Sequence, residues 1–207
     1  YYIQKNQIEQ IPESIYLLGW CYYRQKKDET NSLARQYFEI INKYFPNSQY
    51  AAQALFYRGI IEQRQNNIQQ KLEIMTDLIN NFDNGYYSYA AFNELLEYYE
   101  SMKNIEAINS TFSKMLEYFN SKNQNEYLKK TLWQAMIYSY RGGNYPNALE
   151  LATEFGNKVK NNADESLRAC FWNYKIYDKL KNSDKALEYA KKVIASNDNS
   201  SFYFWRA

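Results

Sequence analysis

Three carboxylates are the side chains of this sequence best spaced for acid–base chemistry. Glu94, Glu97 and Glu100 follow one another at three-residue intervals, so a helix would carry them on one side. General acid catalysis needs one carboxyl whose pKa is raised by an apolar cleft. On a polar helix face such a cluster is far more often solvated, and we predict no catalytic role for it.

Other catalytic chemistries lack their residues. The chain contains no His, which excludes His-activated Ser or Cys nucleophiles and His-based metal sites. Its glycines do not form a phosphate-binding loop. Lys191 and Lys192 are adjacent, but a Schiff-base lysine needs an apolar pocket or a cationic neighbour to lower its pKa, and this pair falls on a polar helix face. We predict no catalytic residue, no metal and no cofactor, and leave open whether a longer parent is an enzyme.

The two cysteines, Cys21 and Cys170, are expected to be structural. Several predicted helices separate them, whereas a disulfide needs Cα atoms within about 7 Å. We predict that both are buried apolar residues.

The elements that carry these side chains follow a period of 37 residues. Three apolar sets recur at that spacing, each expected on the core face of a repeat's second helix. The sets are Phe45, Phe82 and Phe119; Phe38, Met75 and Phe112; and Ile41, Leu78 and Met115. With only six Gly and three Pro, the pattern predicts an all-α chain of helix–turn–helix repeats.

The repeats are expected to follow one another as a single domain over residues 1–207, without a linker. Pro12 suits the first turn of a helix, so the first repeat should begin there, after a helix tail at 1–9. The chain starts at Tyr1 without Met, and we expect it to be a piece of a longer protein. Predicted repeats span 12–46, 48–83, 86–120, 124–160 and 163–197, with a sixth opening at 200–207.

The motifs within these repeats resemble the tetratricopeptide repeat. The matching residues are Leu18, Gly19 and Tyr22; Ala34, Phe38 and Pro46; Gly143, Asn144, Tyr145 and Ala148; and Asn182, Ala186 and Ala190. Arg58, Glu62, Lys71 and Ile108 depart from the usual apolar or small residues, so the middle repeats are degenerate. The resemblance implies a right-handed superhelix of about five repeats, used as a scaffold for protein or peptide partners.

The C-terminal part is similar to the superhelical domain of soluble lytic transglycosylases. The residues that carry this likeness are the pair Phe171-Trp172 and the run Ser201-Phe202-Tyr203, although Asn173 and Tyr174 depart from the pattern. Residues 42–59 also resemble repeats of bacterial envelope assembly proteins. These likenesses imply a periplasmic or cell-envelope location and an alternative role as the accessory domain of a peptidoglycan-cleaving enzyme, with peptidoglycan as a second partner class. A cytoplasmic location stays open.

The tetratricopeptide resemblance also implies which side chains line the concave face. Aromatic and Arg residues are common anchors of interfaces, and they recur at the inward motif positions. The expected partner-binding residues are Tyr16, Trp20, Tyr23, Arg24, Phe56, Arg64, Trp133, Tyr140, Arg141 and Phe171. The alternative that many of these rings are inter-helix core stays open.

Net charge and mean hydropathy argue against two roles, binding to nucleic acid and crossing a membrane. A net charge of +2 argues against nucleic acid, which is held by clustered excess basic charge. Mean hydropathy is −0.74, and no run approaches the roughly 20 apolar residues of a membrane span. We therefore predict a protein-binding scaffold that neither binds nucleic acid nor crosses a membrane within this chain.

Overall fold

The computed structural model describes the backbone of residues 5–195 and of Tyr203, with side chains from residue 10 onward. Within these residues all regular secondary structure is α-helical, as predicted. The helices are α1 (Lys5–Arg24), α2 (Asp28–Tyr44), α3 (Ala51–Arg64), α4 (Ile68–Asn81), α5 (Gly85–Ser101), α6 (Ile105–Ser121), α7 (Asn125–Arg141), α8 (Tyr145–Val159), α9 (Ala163–Lys179) and α10 (Ser183–Ile194). None of these helices combines the length and apolar character needed to cross a membrane.

The first helix differs from the prediction at Pro12. Rather than opening a helix, Pro12 lies inside α1, which already begins at Lys5. Proline lacks the N–H that would bond to the carbonyl four residues earlier, and α1 continues on both sides of this interruption. Most of the predicted sixth repeat lies outside the described residues.

The chain divides into two compact units, Tyr1–Thr111 and Phe112–Ala207. In the first unit α1 packs on α2, α2 on α3, α3 on α4 and α4 on α5. In the second, α7 packs on α8, α8 on α9 and α9 on α10. This succession confirms the helical-repeat fold class, while the right-handed superhelix and the single domain stay predictions.

Two features recur in the turns between the described helices, and three turns combine them. Six of the turns contain a residue with positive φ: Lys26, Asn66, Lys103, Asn123, Gly143 and Lys181. The side chains of five asparagines then accept a hydrogen bond from the backbone N–H three residues on, satisfying a donor that the helix leaves free. These caps are Asn84, Asn104, Asn144, Asn162 and Asn182. Because the turns are short, consecutive helices fold back on one another as hairpins.

Two of the three 37-residue sets lie fully in the core, whereas in the third Phe119 is buried but Phe45 and Phe82, at the ends of α2 and α4, are only partly buried. Phe38, Met75 and Phe112 are buried, as are Ile41, Leu78 and Met115. Gly19 explains the Leu-Gly motif of α1, because a Cβ there would stand 2.7 Å from Cε1 of Phe38. Glycine therefore allows α1 and α2 to approach closely.

Two of the residues that depart from the repeat pattern are buried charges with partners. Glu62 is 1% exposed, accepts from Asn67 Nδ2 at 2.9 Å and pairs with Arg35 at 3.2 Å. Lys71 is 3% exposed, and its Nζ lies 2.6 Å from Oε2 of Glu94. A buried charge is tolerated when an opposite charge compensates it. These departures are therefore part of the packing of the first unit.

Candidate partner-binding surface

Rings of the odd-numbered helices contact one another in the first unit. We call them the first aromatic strip: Tyr16, Trp20 and Tyr23 of α1, Phe56 and Tyr57 of α3, and Tyr87 of α5. The Trp20 and Tyr57 centroids are 4.7 Å apart, which joins α1 to α3. Those of Phe56 and Tyr87 are 5.6 Å apart, which joins α3 to α5. Predicted site residues from separate repeats thus form one continuous row.

Tyr57 and Tyr87 are the two residues of this strip that were not predicted from the sequence, and Tyr57 is the more central. Its ring contacts those of Trp20, Tyr23, Phe56 and Tyr87. Tyr57 directly follows Phe56, which was predicted to contact a partner because of its motif position. Successive side chains of a helix are rotated by about 100°, so the two rings point in different directions. The motif alone did not reveal that the neighbouring ring would fill the space between two helices.

The first aromatic strip is partly open to solvent. Tyr16, Trp20, Tyr23 and Phe56 are partly buried, whereas Tyr87 is buried. The rings therefore contribute to packing between helices and also leave apolar surface uncovered. The sequence left two alternatives open for these rings, inter-helix core or partner-binding groove. In the structure, one part of each partly buried ring packs between helices and another part is open to solvent.

Burial keeps this strip uncharged. Loss of solvent is the main cause that raises the pKa of Tyr16, Tyr57 and Tyr87 above its ordinary value. It also raises the pKa of Tyr23, where the nearby Arg64 opposes the shift. These hydroxyls stay protonated at neutral pH and can both donate and accept hydrogen bonds.

Arg64 is held by its own unit. Its Nη1 donates to the carbonyl oxygen of Tyr23 at 3.0 Å and to Oδ1 of the buried Asn31 at 3.1 Å. Its guanidinium carbon also lies over the Tyr23 ring. Arg64 Nη1 thus connects α3 to the first hairpin, and the role of Arg64 as a partner contact stays a prediction. Arg24 is exposed.

A second group of rings joins α7 to α9. We call Trp133, Tyr140 and Trp172 the second aromatic strip. The Trp172 ring stands perpendicular to both others, with its centroid 5.7 Å from that of Trp133 and 5.2 Å from that of Tyr140. All three are partly buried. The guanidinium carbon of Arg168 lies 4.2 Å from the Trp133 ring centre.

Trp172 takes the place predicted for Phe171. Phe171 is 6% exposed and packs against Tyr174 and Tyr203, so its selection as a partner contact is corrected. The register of α9 turns Trp172 toward α7 and Phe171 into the core. The paired aromatic residues in the sequence were the available signal, but only packing decides which ring faces outward.

The α5 carboxylates form no acid–base pair. Glu94 is bound to Lys71, whereas Glu97 and Glu100 are exposed. Asn93, where the aromatic recurrence breaks, donates from Nδ2 to its own helix at Tyr89 O. Within the described residues, no group of three or more Cys, Asp or Glu side chains could hold a metal ion.

Both cysteines are free, and the prediction that both are buried is wrong. Cys21 is exposed and Cys170 is partly buried. Burial raises the pKa of the Cys170 thiol. Cys21 lies on a side of α1 that its neighbours within the described chain leave uncovered, which the apolar spacing of α1 did not reveal.

An open cleft of about 570 Å³ lies between α4 and α5. Its lining contains none of the predicted site residues. The lining residues are Gln69, Leu72, Glu73, Thr76, Asp77, Asn80, Tyr98 and Tyr99. The two aromatic strips therefore remain the places where the predicted site residues come together.

Comparison with known proteins agrees with this geometry in the first unit. A family model described as tetratricopeptide repeat matches residues 13–48 and 53–85, which correspond to the α1–α2 and α3–α4 hairpins. No curated protein matches the chain. Tetratricopeptide repeats generally mediate the binding of protein partners. Residues 13–48 and 53–85, about a third of the chain, are therefore similar to tetratricopeptide repeats, and they lie within a described succession of ten helices.

Proposed function

We propose that the two aromatic strips are the surfaces with which this chain holds a partner protein. The observation that carries the proposal is their continuity. Rings from α1, α3 and α5 contact one another, as do rings from α7 and α9. Partly exposed Trp and Tyr rings offer a large contact area at little cost in side-chain entropy, and they are the usual anchors of interfaces.

Selection from a random peptide phage library tests this proposal directly. The immobilised chain should recover peptides, whose affinities are then measured as synthetic peptides by fluorescence anisotropy. Trp20→Ala or Trp172→Ala should weaken binding by about 2 kcal/mol or more, as expected for an interface anchor. Tyr189→Ala is the matched control, because Tyr189 is a partly buried ring that stacks on Tyr177 outside both strips. Peptides insensitive to both Trp variants would contradict the proposal.

A cell-envelope location is the second part of the proposal. Its support is the likeness of residues 42–59 and of the C-terminal part to envelope proteins. Fractionation of the native host with an antibody against this chain tests it, with the periplasmic or envelope fraction as the expected location. Recovery in the cytoplasmic fraction would contradict it.

A lytic transglycosylase accessory domain is the second candidate function, and one contact favours it. Phe171 of the aromatic pair and Tyr203 of the later motif have ring centroids 5.3 Å apart, so two parts of the motif pack together. Ser201 and Phe202 lie outside the described residues. Under this candidate, the purified chain should sediment with peptidoglycan sacculi and release no soluble turnover products. Absence of co-sedimentation would count against it.

A further inference from the structure

One face of α9 combines a tryptophan with three cations. Arg168, Trp172, Lys175 and Lys179 are spaced by four, three and four residues, which places them along one side of the helix. The neighbouring helix α7 confirms this alignment at both ends. Arg168 lies over Trp133, and the charge of Lys179 acts to lower the pKa of Tyr140, against the larger effect of burial. The second aromatic strip therefore has cations along its α9 side, of which Arg168 pairs with Glu165 at 3.9 Å.

The cations at one end of this strip are not neutralised by ion pairs. Lys175 and Lys179 form no salt bridge within the described part of the chain. Other lysines of the same unit do: Lys129 pairs with Glu126 and Glu165, and Lys185 and Lys192 pair with Glu188. Asp178 is the exposed acid beside Tyr140. The charge that remains on this face is positive.

The first aromatic strip has a different electrostatic character. Its cation Arg64 is bound to Tyr23 and Asn31. On α5, the motif positions equivalent to those of strip residues on α1 are occupied by Glu97 and Glu100, whose carboxylates are exposed. The exposed charges of the first unit are therefore mixed, with Glu97 and Glu100 on α5 and Arg24 on α1.

We infer that the second aromatic strip binds an acidic segment of a partner protein, with an aromatic or leucine side chain of that segment packed against Trp172. This inference rests on the proposed function and adds the chemistry of the partner. Carboxylates beside the apolar anchor form charge-assisted hydrogen bonds with Lys175 and Lys179, and the basic face accelerates the encounter with an acidic chain.

The test uses peptides from the random phage library whose binding is lost in Trp172→Ala but retained in Trp20→Ala. They should be rich in Asp and Glu around a hydrophobic residue. The double variant K175E/K179E should weaken them at least tenfold, and raising the salt concentration should weaken the wild-type complex. The double variant K158E/K160E, which reverses two exposed lysines near the end of α8, is the matched control and should bind as the wild type does.

A charge exchange completes the experiment. Peptides resynthesised with Lys in place of their acidic residues should bind K175E/K179E better than they bind the wild type. Trp172-dependent peptides that are neutral or basic would overturn the inference and leave the proposed function intact. If no recovered peptide depends on Trp20 or Trp172, the proposed function and this inference both fail.

Discussion

The guanidinium carbon of Arg64 lies 3.9 Å from the centre of the Tyr23 ring. The same side chain donates to the Tyr23 carbonyl and to Asn31, which is 1% exposed. One cation thus stacks on a ring of the first aromatic strip and supplies a donor to a buried amide. Its removal leaves the Asn31 oxygen without a charged donor in a place that water does not reach.

We predict that Arg64→Ala lowers the free energy of unfolding by about 1–3 kcal/mol, the cost of a buried acceptor that loses its partner. Arg64→Lys should recover only part of the loss, because an ammonium group cannot reproduce the planar fork. Chemical denaturation monitored by circular dichroism measures both. Arg24→Ala, at an exposed position of α1, is the control. Equal effects of the two alanine variants would contradict this role.

The Lys71–Glu94 pair gives a second prediction. Glu94→Gln should cost on the order of 3 kcal/mol, because it leaves the buried ammonium of Lys71 without a counter-charge. The double variant Lys71→Met/Glu94→Gln should recover most of that loss, since no charge then remains buried. A double-mutant cycle in denaturant reports the coupling. Glu97→Gln, an exposed carboxylate on the same helix, should change stability by less than about 0.5 kcal/mol. Additive single effects would show that the pair is not coupled.

The sequence predicted the helices better than it predicted the site. Apolar residues such as Phe38 and Met75 recur because every repeat must bury the same face, so a single chain shows their period. Lys71 and Glu94 are far apart in the sequence and pair only after α4 packs on α5. No local pattern signals that a charge at a small-residue position has a distant partner.

The sequence also did not reveal which side chains a helix turns toward the core. Phe171 and Trp172 are adjacent and both aromatic, and the tetratricopeptide motif position selected Phe171, which α9 turns into the core. Pro12 is a good opening residue for a helix, yet it is buried inside α1, which continues on both sides of it. In both cases tertiary packing outweighed a local preference of about 1 kcal/mol or more.

The turns give a third prediction. Gly143 has φ +78 and no atom near the position of a Cβ, so Gly143→Ala should cost about 1 kcal/mol purely from the left-handed backbone. Lys103 has the same conformation with φ 54, and Lys103→Gly should therefore be neutral or stabilising. Thermal unfolding measures both variants. If Lys103→Gly destabilised the chain as much as Gly143→Ala, the argument from backbone conformation would be wrong.

The last prediction concerns alkaline pH and Tyr16. Burial is the largest cause that raises the pKa of Tyr16, and the neighbouring hydroxyls of Tyr57 and Tyr50 add to it. The unfolded chain has the ordinary tyrosine pKa of about 10, so above that pH the unfolded state loses its proton more readily than the folded state does. The stability that this group contributes is fully present below about pH 10 and is lost as the pH rises toward the folded pKa.

Alkaline unfolding of the Tyr16→Phe variant checks this sign. Because phenylalanine has no proton to lose, the variant should unfold at a higher pH than the wild type, while the two unfold alike in denaturant at neutral pH. Far-UV circular dichroism at increasing pH follows the transition. Tyr44→Phe is the matched control, since Tyr44 is 62% exposed on α2, and it should leave the transition unchanged. An alkaline transition that moves to lower pH in Tyr16→Phe would show that the hydroxyl of Tyr16 stabilises the fold by a bond of its own rather than resisting ionisation through burial.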